Sequence, residues 1–354
     1  MTEHRFQGAI ASADEAGARR PRGRGRTLAI GRLAKATALL AGALITISTL
    51  QSAPASAAAA RRVVPIAGTG HFLVYGTYTP TVGMTTVRLY SRDDRGRTRS
   101  LGSVQSSTPS RIPATAAGTT LVAAKDATAN YRWDLTTGAR TTIGPQTVAA
   151  PNGYATVGTD GATGPDARQA VLLVTPTGTT NIGVPFPKGE NADGAFHLSS
   201  GSAGVTITDG NGHIRFIAFA SPGTVRSLHT INRGASVPVL NCSSFTSTSV
   251  ACLAFDEETT TLLGLRLSGS RVITTTPRCV GTPAALHTGI AWTGCNHRLT
   301  VLDSSGAART SKTTFGTATP VSAYGKVVLQ SKSGTTLQTM TSVSSKPRTI
   351  TPAG

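Results

Sequence analysis

From about residue 70 onward the chain repeats one unit of short strands roughly every 40 residues, and this repeat restricts the fold more than any single motif does. In the clearest copy, Leu121-Val122-Ala123-Ala124 is an apolar strand and Tyr131-Arg132-Trp133-Asp134-Leu135 is the next. Thr136-Thr137-Gly138-Ala139 turns the chain, and Arg140-Thr141-Thr142-Ile143 returns. Val, Thr and aromatic residues suit pleated strands, whereas Gly with Asp, Asn or Pro marks turns. The same order recurs six more times. Its turn glycines, Gly96, Gly138, Gly178, Gly223, Gly269 and Gly306, are separated by 42, 40, 45, 46 and 37 residues. Glu and Lys are scarce and no helical periodicity interrupts the pattern, so the class is all-β.

A period near 40 with several short strands per unit is the sequence mark of propeller blades. Seven units of about 42 residues fill the chain after its first 57 residues. The expectation is a seven-bladed β-propeller of four-stranded blades, with the innermost strand of each blade the least marked. Regular strand spacing would also suit two β-sandwich domains of about 150 residues each. Segments 131–144 (YRWDLTTGARTTIG) and 297–310 (HRLTVLDSSGAART) resemble the strand–Asp–turn–Gly–strand blade ends of the secreted bacterial WD40-like and TolB-like β-propeller superfamily. The resemblance implies a fold whose members mostly bind partners, with some enzymes among them. It carries over no functional residue, and the Gly-His element of true WD40 repeats is missing.

The N-terminus supplies the compartment. Residues 1–35 carry eight Lys/Arg, residues 36–48 (ATALLAGALITIS) are apolar, and Ala55-Ser56-Ala57 fits an A-x-A cleavage site. A basic region, a short apolar run and a small-residue site read as a secretory signal peptide over 1–57. The apolar run is shorter than the roughly 20 residues a membrane span needs. The propeller domain is then 58–354, the protein is secreted and extracellular, and no span remains after cleavage. Removing the eight basic and three acidic residues of the export segment leaves 26 and 13, a formal +13. Such a charge favours anionic polymers or surfaces. The arginines are isolated and aromatics make up only 5%, which argues against specific nucleic-acid binding.

Four cysteines, Cys242, Cys252, Cys279 and Cys295, are spaced by 10, 27 and 16 residues. That spacing fits no zinc pattern, and export favours disulfides. The repeat pairs Cys242 with Cys252 and Cys279 with Cys295, each across the first two strands of one blade.

No catalytic signature is present: no G-x-S-x-G elbow, no H-E-x-x-H and no P-loop. The acidic residues carry more information. Loops between the second and third strands of the units hold Asp126, Asp160, Asp166, Asp209, Asp256, Glu257 and Glu258, and the connection 184–195 adds Glu190 and Asp193. In a propeller these loops open on one face, which would gather nine of the 13 carboxylates there. The opposite face would collect Arg95, Arg97, Arg99, Arg140, Arg271 and Arg309. Turn propensity explains such aspartates plainly. The sharper reading is a carboxylate-lined mouth for a cation or a saccharide, with Asp126, Asp160, Asp166, Asp209 and Asp256 as ligand residues and Ca2+ as the one candidate cofactor. The leading functional reading is a monomeric, secreted binding propeller without catalytic activity. Its partner is an extracellular polymer, an envelope component or a protein. The alternatives are a hydrolase or lyase acting on a polysaccharide or lactone through mouth carboxylates, and a structural envelope protein held to anionic wall polymers.

Overall fold

Alternation builds the strands. In Thr85–Asp93, Val87 and Leu89 are buried while Thr86 and Arg88 face solvent. The computed structural model describes residues 59–352 apart from 164–165, 187–196, 210–211, 231–238, 245–248, 256–258, 268–270, 278–281, 287–288, 304 and 317–318. The export segment expected over 1–57 lies outside the described residues.

Among the described residues the strands form seven four-stranded antiparallel sheets. Each is a simple meander from one continuous stretch: 62–106, 114–143, 147–183, 197–230, 239–277, 284–314 and 321–350, sheets 1 to 7. Sheet 1 shows the plan, with Arg62–Gly68, Phe72–Tyr78, Thr85–Asp93 and Thr98–Ser106 paired in that order. The first strand of each sheet touches the first strand of the next, and that of sheet 7 touches that of sheet 1. The circuit is closed. Each gap between neighbouring sheets holds its own apolar core. Leu89, Leu121 and Trp133 fill the gap between sheets 1 and 2. Val205, Ile207 and Val171 fill the gap between sheets 3 and 4. Tyr75, Tyr90, Val328 and Leu337 fill the one between sheets 7 and 1.

The chain is an all-β propeller with four-stranded blades. The two-sandwich alternative fails, because a sandwich sheet packs face to face on one partner whereas each sheet here packs on two. Several first strands are short and built of small residues: Ala114–Ala117 (ATAA), Thr147–Ala150 (TVAA) and Ala284–Leu286 (AAL). Close approach near the axis leaves little room for larger side chains.

Three of the turns between third and fourth strands follow one local rule. The N–H groups of Gly96, Gly138 and Gly306 donate to the carbonyls of Asp93, Asp134 and Asp303. The same aspartate carboxylates accept from the N–H groups of Arg95, Thr136 and Ser305 at 3.1, 2.7 and 2.9 Å. These glycines have φ of 87, 79 and 87°, a conformation that glycine adopts without a steric penalty. Cys242 stands directly opposite Cys252 on the first two strands of sheet 5, and the two are disulfide-bonded. Cys295 is also disulfide-bonded, and Cys279 lies outside the described residues.

Candidate ligand-binding cleft

The loops expected to offer carboxylates occupy the expected places, between second and third strands. Among the described residues, Asp126, Asp160 and Asp209 are engaged within their own loops. Asp126 accepts from the N–H and hydroxyl of Thr128 at 2.8 and 2.7 Å. These bonds, with Lys125 alongside, hold its carboxyl below the usual range. Asp160 accepts from Arg168 Nε at 2.9 Å and from the N–H groups of Arg168 and Ala162, and this bonding lowers its pKa in the same way. Asp209, its side chain nearly buried, accepts from the N–H and Nδ1 of His213 at 2.9 and 2.7 Å. Asp166 is exposed and also has a partner. Asp256, Glu257, Glu258, Glu190 and Asp193 lie outside the described residues. Among the described residues no three of His, Cys, Asp and Glu come together as a metal would require.

Three of the arginines assigned to the opposite end are likewise engaged. Arg97 Nε donates to Asp93 at 2.6 Å, Arg99 Nη1 to the Thr137 carbonyl at 3.0 Å, and the Arg140 guanidinium lies 4.5 Å from the Tyr131 ring centre. Arg271 has no described side chain. A smaller cleft of about 220 Å3 between sheets 1 and 2 includes Asp93, Arg97 and Arg99, so its charges already have partners.

A different surface stands out. Sheet 1 carries an open cleft of about 530 Å3. Arg61, Thr77, Tyr78, Thr79, Thr81, Met84, Thr86 and Arg88 line it, and no carboxylate is among them. Strand lengths explain why it exists. Val63, Thr77 and Arg88 stand opposite one another in three adjacent strands, on the face whose Leu73, Tyr75 and Tyr90 pack against sheet 7. The third and fourth strands of sheet 1 have nine residues each, about 30 Å of strand. Those of sheet 7 have four and three, about 13 and 10 Å. Sheet 7 therefore covers only part of the face, and Thr86 and Arg88 project beyond it, both exposed. The loop 79–84 forms the rim, where Val82 and Met84 are the exposed large apolar residues.

Within the cleft, Arg61 Nη2 donates to the buried Thr77 hydroxyl at 2.7 Å, which holds the guanidinium against the wall. Tyr78 also borders the cleft but packs against the core shared by sheets 1 and 2, and burial raises the pKa of its hydroxyl, with nearby Arg62 opposing. Sequence reading missed this surface. Arg88 alternates with buried neighbours as any solvated strand residue does, and its setting depends on strands some 250 residues away, at 337–350.

No protein-family model and no curated protein matches the chain. Solved structures resemble it at low identity. BamB from Moraxella catarrhalis is 16% identical over 77% of this chain and 80% of that one, with a TM-score of 0.40. The Cps50 (Swd1) β-propeller domain from Myceliophteria thermophila is 13% identical over 78% and 92%, at 0.42. An oligogalacturonate lyase from Vibrio parahaemolyticus is 10% identical over 76% and 86%, at 0.39. These likenesses concern the fold alone.

Proposed function

We propose that the chain is a secreted, seven-bladed binding propeller that performs no chemistry of its own. One observation carries this reading. Among the described residues, every carboxyl group with a shifted pKa is shifted down: Asp93, Asp126, Asp134, Asp160 and Asp303. Hydrolysis of a glycosidic bond needs a paired carboxylic acid with a raised pKa. Carboxylates that cap their own loops suit a rigid scaffold. The Cys242–Cys252 disulfide and the signal-like N-terminus support export to an oxidising space.

The test is direct. Purified residues 58–354 are incubated with neutral and acidic polysaccharides and simple lactones, and polymer length and end groups are followed. Unchanged substrates are expected. New ends that disappear with Asp160→Ala or Asp209→Ala would overturn the reading in favour of the hydrolase or lyase.

A further inference from the structure

We propose that the cleft on sheet 1 is the ligand site, and that it takes a stretch of an acidic polysaccharide. This rests on the binding reading above and adds a site and a ligand class to it. Three features point the same way. Arg61 and Arg88 contribute two guanidinium groups to one concavity whose lining holds no carboxylate. Two like charges facing one opening disfavour each other, and an anion between them relieves that repulsion. Guanidinium forks also match carboxylate and sulfate oxygens with paired N–H donors. Next, the exposed Thr79, Thr81 and Thr86 add hydroxyl side chains to the same lining, each able to donate and accept. Such groups suit a ligand that alternates charge with many hydroxyls. Finally, the shape is that of a groove for part of a chain. At about 530 Å3 it falls in the range of ligand pockets, roughly 300–1,000 Å3, yet it opens along the uncovered strands instead of enclosing a small molecule.

The two guanidiniums have different parts. Arg61 is fixed by Thr77 on the wall of the cleft and contributes its positive charge there. Arg88 stands directly across from Thr77 on the neighbouring strand and is exposed. Ligand contact at Arg88 therefore brings a new charge-assisted hydrogen bond and disturbs no bond that the fold needs.

Binding of residues 58–354 to polygalacturonate (carboxylate) and dextran sulfate (sulfate) is measured by titration calorimetry. Neutral dextran and polyphosphate serve as comparison polymers. Arg88→Ala and Arg61→Ala are tested against Lys312→Ala, an exposed residue of sheet 6 that removes the same charge. Melting curves of all variants report folding. The expected result is binding to at least one acidic polysaccharide and none to dextran. Arg88→Ala weakens it about tenfold, while Lys312→Ala changes it less than twofold. Preference between the two acidic polymers tells which acid group the site reads. Equal losses in Arg88→Ala and Lys312→Ala would mean diffuse attraction by net charge and overturn the site. Polyphosphate binding as tightly as the sugars would overturn the ligand class. A folded protein that binds neither acidic sugar overturns this inference and leaves a binding propeller with another ligand. Shortening of the polymer, in contrast, overturns the binding reading itself.

Discussion

Aspartate at turns does two jobs in this chain, as Asp134 shows. Its carboxylate takes hydrogen bonds from the N–H groups of Thr136 and Thr137 at 2.7 and 3.0 Å and from the Thr136 hydroxyl, and its carbonyl receives Gly138. Burial pushes the carboxyl pKa up, but the bonds from Thr136 and Thr137 outweigh that and hold it below the usual value. A folded pKa below the unfolded one, about 3.9, contributes stability that is fully present above pH 4 to 5. That contribution fades as pH falls through the folded value. Asp134→Ala should therefore cost about 1 kcal/mol at pH 7 and nothing comparable at pH 2. Urea unfolding at the two pH values measures it, and an equal loss at both would show that the charge plays no part. These aspartates were legible in the sequence as turn formers, since Asp before Gly at the end of a strand is a local signal. Arg88 was not legible, because a lone Arg on an alternating strand says nothing of what covers it.

At the scale of the strand, legibility follows side-chain size. The second and third strands carry apolar runs such as Thr120–Ala124 (TLVAA), the fourth strands are marked by Thr and Arg after the turn, and the repeat places all three correctly. The first strands do not announce themselves, since ATAA and AAL owe their burial to their position near the axis rather than to hydrophobic bulk. In sheet 5 a covalent bond supplements that weak signal. Cys242 and Cys252 are both buried and fix the register of the first two strands, where a slip of one residue would exchange the two faces. Closing a loop of this size contributes about 2–3 kcal/mol through the unfolded state. Replacing both cysteines with alanine should lower the midpoint of chemical unfolding by a corresponding amount. Loss of folding confined to 239–277 in hydrogen exchange would place the effect in sheet 5. An unchanged midpoint would remove the disulfide from the stability argument.

For the whole molecule, the decisive feature is how the circuit closes. Every sheet draws its strands from one stretch of chain, so no strand is exchanged across the gap between sheets 7 and 1. Side chains and a few backbone bonds do the closing. Gln330 Nε2 donates to the Val63 carbonyl at 2.7 Å, and the Val63 N–H donates to the Gly334 carbonyl at 2.8 Å. Tyr324 sits at φ 55° in a tight two-residue turn with Gly325 at 68°, and its hydroxyl donates to the Arg92 carbonyl. Behind these bonds, Tyr75 and Tyr90 stack at 5.4 Å within the shared core. Like every gap this seam has no shared strand, but it alone is not also joined by the chain running from one sheet to the next, which makes it the natural place for partial opening. Gln330 is buried, and Gln330→Ala leaves the Val63 carbonyl without its side-chain donor. The variant should speed amide exchange in Arg62–Gly68 and Val321–Ala323 about tenfold, with sheet 4 changed far less. The cleft borders the same seam, so an acidic polysaccharide bound there should slow that exchange in the wild-type chain. Uniform acceleration across all sheets in Gln330→Ala would mean that the propeller opens only as a whole, and the seam would lose its special standing.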